Sequence, residues 1–372
     1  MELVKVLCMS KNEYDLIEDF ILYYGRLFGY HNVIIIDNES THPHVLDVYS
    51  KYIPLGVTVH HEPNYTGDGQ GCAFTKYMRL HKADCSFMIG LDTDEFLYST
   101  IAPPDGSTLS VIECILSAFR NYASEYTKFK FDAYPYSVVD VSSPHYVEQK
   151  MTHPTRSIVH FSDWQNSPEK YFCRSDAFVS TTNGNHHVNV AYGRTTGSSL
   201  GLFHFHSTGK RREYERARTV MDGYRYIDTS TDVSTQIDYL NENSHWMGNG
   251  CHRVDSYRRF LLRMYLVQLF LTYIKRLPTE DELACHVSDK LHQKMSSRTM
   301  EQTFQNCDEC LANVDVSCPY TYEDASSLVF CDLPFDKMPS DCKRYTFVSR
   351  LLETTFQVQG VCSPTPPSED SV

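Results

Sequence analysis

The segment Asp92-Thr93-Asp94-Glu95 follows the apolar run 86–91 directly. Two acids at positions i and i+2 of an extended chain point the same way, so Asp92 and Asp94 can face one ion. Hard cations such as Mg2+ or Mn2+ prefer oxygen ligands and bridge phosphates. An isolated pair of this kind is usually a loop of solvated acids. Here the setting differs, because two other apolar runs also end in polar residues. Lys11-Asn12-Glu13 comes after the run 4–9, and Asp37-Asn38-Glu39-Ser40 after the run 32–36.

Those polar ends need a scaffold that brings them together. Residues 4–9 read as a buried strand. Asn12 is positioned to cap a helix with apolar residues at Leu16, Ile17, Phe20, Ile21, Tyr24, Leu27 and Phe28, and Gly29 to end it. Residues 32–36 read as a second strand. Thr41 then caps a helix carrying Val45, Leu46, Val48, Tyr49 and Tyr52, with Pro43 in its first turn. A strand at 57–61, a flexible Gly67-Asp68-Gly69-Gln70-Gly71 loop, a helix near 72–82 and a strand at 86–91 complete the series. This β-α-β-α-β-α-β order predicts a doubly wound, parallel α/β sheet. In such sheets ligands bind at the carboxyl ends of the strands.

Farther on, 109–122 reads as a helix and 128–134 as a strand. The pattern is irregular from 135 to about 206. Helices are expected at 211–226 and 253–277, with weaker ones through 280–300, and 363–372 is expected to be a disordered tail. A net charge of −13 and a pI near 5.7 exclude a general nucleic-acid binder and a polybasic membrane-surface protein. An anionic ligand stays open, because a metal ion can supply local positive charge.

The longest apolar stretch, 260–274, is interrupted by Arg263 and Gln268 and falls short of the roughly 20 residues a span needs. It reads as a helix packed on the rest of the chain. The first residues lack the form of a signal peptide. With 13 cysteines and no framework spacing, reduced thiols in a cytoplasmic setting are expected. The Asn64-Tyr65-Thr66 sequon then carries no weight. Cys307-Asp308-Glu309-Cys310 has the spacing of a zinc knuckle, but a second such pair is missing.

Three segments together resemble the family-2-like and family-92-like glycosyltransferases of the GT-A fold. They are Lys11-Asn12-Glu13-Tyr14-Asp15-Leu16-Ile17-Glu18-Asp19-Phe20, then Val33-Ile34-Ile35-Ile36-Asp37-Asn38-Glu39-Ser40-Thr41, then Ala83-Asp84-Cys85-Ser86-Phe87-Met88-Ile89-Gly90-Leu91-Asp92-Thr93-Asp94-Glu95-Phe96-Leu97. Each is weak alone; their order and spacing are specific. The resemblance is clear over residues 1–100. It continues more faintly through the Lys170–Val179 segment, His186-His187, and the block from Leu202 to Tyr214.

This resemblance implies a GT-A catalytic domain over 1–218 and a mainly helical, cysteine-containing region over 219–362. It implies a nucleotide-sugar donor, with a UDP-sugar the leading choice, and a glycan or other hydroxyl acceptor. Lys11, Asn12, Glu13, Asp37, Asn38 and Asp92 would face the donor. Asp92 and Asp94 would hold Mn2+ or Mg2+, joined by a late histidine: His187 first, then His186 and His204. Transfer would invert configuration, with a carboxylate deprotonating the acceptor. Asp163, beside Trp164, is the candidate base, against Asp140 and Asp176. The Glu-Asp pair that often marks the base in family 2 is absent from this part of the chain.

Lys76, Arg79, Arg174, Lys210, Arg211 and Arg212 are the cations available to a diphosphate. The glycine loop is not a P-loop, since the Lys-Ser/Thr of that motif is missing. Two other classes use the same features: a metal-dependent nucleotidyltransferase, and an inactive carbohydrate-binding scaffold.

Overall fold

A run of residues that are all apolar must be covered on both faces, and the first two strands are built this way. The computed structural model describes residues 2–63, 69–101, 108–138, 160–162 and 169–205. In the C-terminal part it describes 214, 217–218, 221, 227–243, 252–279, 281–283, 285–287, 295–307, 309, 317–320, 343–344 and 352. The chain opens with β1 (Glu2–Ser10), α1 (Ile17–Phe28), β2 (Val33–Asp37), α2 (Pro43–Tyr52), β3 (Thr58–His61), α3 (Gly69–His81) and β4 (Cys85–Asp92). β1 runs parallel to β2 and to β4, and β2 runs parallel to β3.

Residue alternation divides the core into two layers. Val4, Val6, Cys8, Val33 and Ile35 pack with the apolar face of α1 and with Val45, Val48 and Tyr49 of α2. Leu7, Met9, Ile34 and Ile36 pack on the other face with Ala73, Phe74, Tyr77 and Met78 of α3. Helices therefore cover both faces, which is the doubly wound arrangement expected from the order of elements. Each fully buried large apolar side chain contributes about 1.5–3 kcal/mol. α1 alone buries Ile17, Phe20, Ile21, Tyr23, Tyr24 and Leu27.

The chain continues with β5 (Glu95–Ser99), α4 (Thr108–Asn121), β6 (Tyr126–Lys130), β7 (Tyr136–Val138) and β8 (His160–Ser162). Then come β9 (Tyr171–Arg174), β10 (Phe178–Thr181), β11 (Val188–Val190), β12 (Arg194–Gly197) and β13 (Leu200–His204). The main sheet has seven strands in the order β12-β6-β9-β4-β1-β2-β3. β9 is antiparallel to both its neighbours, β4 and β6. β5 leaves this sheet and pairs with β13 in a second sheet. That sheet ends on β14 (Lys343–Arg344) beside β8.

After these come α5 (Val233–Asn243), α6 (His252–Leu269) with a π-helical turn at Phe270–Ile274, and α7 (Ser297–Gln305). These helices share a core of their own, including Ile237, Leu240, Leu261, Leu266, Met300 and Phe304. Among the described residues no helix is long and apolar enough to cross a membrane. The cysteines at 8, 72, 85, 114, 173 and 318 are free thiols. The helix expected at 211–226 and the tail lie largely or wholly outside the described residues, as does Cys310 of the knuckle-like pair.

Three local expectations need correction. Asn12 does not cap α1, which starts after Leu16 with no side-chain cap. Asn12 sits in the left-handed region at φ 55°. Its Oδ1 accepts from the backbone N–H groups of Thr41 and His42, at 2.8 and 2.9 Å. It therefore caps the start of α2 from a distance, in the role expected of Thr41. α3 begins at Gly69, earlier than the expected 72, so part of the glycine loop is its first turn. Finally, Asp92 ends β4, while Thr93 and Asp94 form a turn. The acids are thus set by a turn between two sheets rather than by one extended strand.

Candidate functional site

Register lines up the strand ends. Ser10 of β1 lies opposite Asp37 of β2, and Met9 lies opposite Asp92 of β4. The polar residues after β1, β2 and β4 therefore occupy one edge of the sheet. The buried Cys8 thiol reports the local charge. Its pKa is raised well above the ordinary value, first by burial and then by the carboxylates of Asp92, Glu13, Asp94 and Glu95.

Glu95, the first residue of β5, is completely buried. Its Oε2 accepts the Asp92 backbone N–H at 2.9 Å. Its Oε1 accepts from the Tyr134 hydroxyl and from the Lys170 ammonium. The Lys170 side chain is only 1% exposed, and its Nζ also lies 3.2 Å from Asp92 Oδ2. Burial pulls this ammonium down, but Asp92 and Glu95 outweigh it and leave its pKa raised. Burial pushes the Glu95 carboxyl up, against the pull of Lys170. The result is a buried ion pair that anchors the end of β4 to β9.

Asp92 keeps one side toward solvent, at 36% side-chain exposure. Its Oδ1 lies 3.4 Å from Gln70 Nε2 in the first turn of α3. Gln70 Oε1 in turn accepts the Gly184 N–H at 2.8 Å. Asp94 Oδ2 lies 3.2 Å from His204 Nε2, and the Asp94 carbonyl accepts the Phe205 N–H at 2.7 Å. The rings of Tyr134 and Tyr136 lie 5.1 and 4.7 Å from the His204 ring. β4 is also braced from the 183–187 turn. Asn185 Nδ2 donates to the Gly90 carbonyl at 2.7 Å and lies 3.2 Å from that of Tyr171. Gly90 has to be a glycine here, because a Cβ would come within 2.8 Å of Asn185 Cγ.

The remaining sequence candidates have mixed placements. Asp37 is 1% exposed and turned inward. It accepts from Tyr49 Oη at 2.9 Å and Ser40 N at 3.1 Å, with His61 Nδ1 at 3.3 Å. Asn38 is buried beside it and donates its N–H to Ser10 at 2.9 Å. Lys11 is exposed. Lys76 lies on the exposed side of α3 and pairs with Glu62 at 2.5 Å.

Among the described histidines, His204 meets Asp94. His187 lies against Tyr171, with ring centroids 6.1 Å apart. His186 lies 3.3 Å from the Glu169 carbonyl, and its pKa is lowered by burial and by Lys170. Arg174 is committed to the Tyr122 and Tyr126 carbonyls, and Arg79 to that of Val179. Asp176 accepts from Tyr192 at 2.5 Å. Asp163, Asp140, Lys210, Arg211 and Arg212 lie outside the described residues.

The sequence assigned no role to Glu95, Lys170, Gln70 or Tyr134. Glu95 adjoins the acidic pair and was open to notice. Lys170 gives no local signal, since its partners are 75 and 78 residues away.

Among the described residues, no three of His, Cys, Asp and Glu converge closely enough to hold a metal by themselves. Mg2+ and Mn2+ commonly take only one or two protein carboxylates and complete their shell with phosphate oxygens and water. Asp94 and the open side of Asp92, with His204 adjacent, fit that kind of donor set.

No family model matches the chain, and no curated protein matches it. Several solved structures resemble it distantly. Staphylococcus aureus TarS 1-349, in complex with UDP-GlcNAc, is 12% identical. That match covers 82% of this chain and 91% of the other, with a TM-score of 0.30. Glucosyl-3-phosphoglycerate synthase from Mycobacterium tuberculosis, with Mn2+, UDP-Glc and phosphoglyceric acid, is 14% identical. It covers 61% and 82%, at a TM-score of 0.28. A cytidylyltransferase from Leptospira borgpetersenii is 12% identical over 36% of this chain, at a TM-score of 0.24. The chain spans only 55% of that protein's length. Scores this low leave any functional reading to the site residues themselves.

Proposed function

We propose that the chain is a metal-dependent glycosyltransferase of the GT-A type. It moves a sugar from a nucleoside-diphosphate donor, a UDP-sugar first, to a glycan or other hydroxyl acceptor with inversion. The observation that carries this reading is the meeting of Asp92, Asp94 and Glu95 with Lys170 and His204 at the carboxyl edge of a parallel sheet.

Asp94 and Asp92 would hold the cation, with His204 preferred to His187 as the third ligand because of its distance to Asp94. When bound, the ion supplies charge stabilisation for a departing diphosphate. Lys170 and Glu95 keep Asp92 in place, so that its solvent-facing side is presented in one orientation. Gln70 ties the same carboxylate to α3. Lys11, Asn12, Glu13, Asp37, Asn38 and Lys76 remain the proposed donor-facing set. For Asp37 this role reduces to shaping the turn, since its oxygens point inward. A carboxylate takes the acceptor proton, and Asp163 is the proposed base.

The test is nucleotide release from UDP-, GDP- and TDP-sugars with Mn2+, for wild type and Asp94→Asn. Release of one nucleoside diphosphate, lost in the variant and with chelator, is the expected outcome. Pyrophosphate release from a nucleoside triphosphate and a sugar phosphate would replace this reading with nucleotidyl transfer. Silence in both assays, with no thermal shift from nucleotide plus Mn2+, would replace it with the scaffold reading.

A further inference from the structure

Away from the acidic edge, His60 of β3 and His81 at the end of α3 face each other with their Nε2 atoms 2.9 Å apart. Two arrangements place imidazole nitrogens this close, and the rings distinguish them. The ring centroids are 5.2 Å apart. The Nε2 atom of an imidazole lies about 1.1 Å from its centroid. Adding that radius twice to the nitrogen separation accounts for nearly the whole centroid distance, so the rings meet head-on. Two imidazoles on one ion, with metal–nitrogen bonds of about 2.0–2.1 Å, behave otherwise. At right angles their centroids draw in to about 4.5 Å, and in a tetrahedral shell the nitrogens separate to about 3.3 Å. The observed pair of distances therefore matches a linear N–H···N hydrogen bond in which one ring donates and the other accepts.

Such a bond holds one proton between the two nitrogens. A first proton on the free Nδ1 of the donor ring leaves that bond in place, whereas a second, on the acceptor Nε2, sets N–H against N–H and turns attraction into repulsion. The position gives this consequence. β3 is the end strand of the main sheet, with β2 as its only partner among the described strands. Tyr77 of α3 stacks on the His60 ring at 4.3 Å and 20°, fixing its plane. α3 is also the helix whose first turn carries Gln70, which reaches Asp92.

We propose that His60 and His81 form a proton-operated latch between β3 and the C-terminal end of α3, closed while at least one ring is neutral and released when acid protonates both. The charged and titratable groups facing it favour the neutral rings. Lys76 and Lys5 lower the two pKa values, while Glu62 and Asp84 oppose them and His61 adjoins His60. Tyr77, on α3, and Cys85, at the start of β4, titrate above the ordinary range for their types. Burial is the largest cause of the lowering for both imidazoles.

The sign follows from this. An opened latch takes one proton on each ring near the ordinary imidazole pKa of about 6.5, whereas the closed latch takes one at most, so acid favours opening. For one such ring, lowering pH from 7 to 5.5 multiplies the open population about tenfold.

The experiment is amide hydrogen exchange of α3 across pH 5.5–7.5, corrected for intrinsic exchange, in the presence of chelator. Wild type is compared with His81→Gln, whose amide can still donate to His60 but does not titrate. The expected result is an approximately tenfold loss of α3 protection in wild type at acid pH and a clearly smaller loss in the variant. Equal pH dependence in the two proteins would overturn the latch. So would stoichiometric Zn2+ binding by wild type that is lost in both His81→Gln and His60→Gln, since the pair would then be a chelate. Neither readout depends on turnover, so failure of the latch and failure of the glycosyltransferase reading are separable.

Discussion

Replacing Lys170 with Met keeps the aliphatic stem and removes the charge. Lys170 and Glu95 are 2% and 0% exposed. The substitution therefore strands a buried carboxylate beside a second one, Asp92. Breaking one half of a buried ion pair costs about 3–5 kcal/mol. At about 2–4 °C per kcal/mol for a protein of moderate size, the melting temperature should fall by roughly 6–20 °C. Chemical denaturation of Lys170→Met, Glu95→Gln and the double variant measures the coupling directly. In the double variant no buried charge is left unpaired, so it should be more stable than the sum of the single effects, by about 1–3 kcal/mol.

The two shifts in this pair act in opposite pH ranges. The Lys170 pKa is raised on folding. Its stabilising contribution is complete below the ordinary lysine value of about 10.4 and fades as pH climbs through the folded value. Wild type should lose stability in that alkaline range, and Lys170→Met should not share that loss. Glu95 is raised by burial, so its penalty is present above the ordinary carboxyl value and is relieved as pH falls; the variant should recover part of its deficit in acid. A loss below about 1 kcal/mol for Lys170→Met, within the range of an exposed ion pair, or strict additivity in the double variant, would refute the buried-pair account.

Other perturbations separate neighbouring claims. His204→Gln should weaken Mn2+ binding about tenfold or more, measured by electron paramagnetic resonance, while His187→Gln leaves it unchanged. Asn12→Ala should cost about 1–2 kcal/mol, from the lost α2 cap and the positive φ together, and Asn12→Gly about 1 kcal/mol, from the cap alone; urea denaturation reads both. Gly90→Ala should cost about 1–3 kcal/mol from the clash with Asn185, and combining it with Asn185→Ala should be less damaging than the two losses added.

The parallel core was readable because its strands are buried on both faces. Residues 33–37 are all buried, and no exposed position interrupts the pattern. α1 was readable from its one-sided spacing, and its end from Gly29, at φ 92°. Asn12 was misread because capping was judged from the nearest helix in sequence, whereas its side-chain Oδ1 reaches Thr41 and His42 across the sheet edge.

At the site, the sequence placed Asp92 and Asp94 at a strand end but not the turn that separates them. For Asp37 it gave the position without the direction, and direction is set by Tyr49 one helix away. The preference for His187 came from the resemblance, which implies a late histidine without fixing which one. His204 instead sits in an apolar stretch, from Leu200 to Phe205, where a histidine has to meet a polar partner. Lys170 had no signature at all, because a buried lysine is defined by partners that only tertiary structure supplies.

β9 enters the main sheet between β4 and β6, against the direction of both. The strand that completes the centre of the sheet is thus made long after its neighbours, and Lys170 precedes it by a single residue. During synthesis the first four parallel strands and the acidic turn emerge well before their counter-charge. Closing so long a loop carries an entropic cost that local contacts do not repay. Order at the acidic edge is therefore a late event of chain assembly. A shortened chain ending after β6 would contain Asp92, Asp94 and Glu95, yet lack the cation that holds them in position.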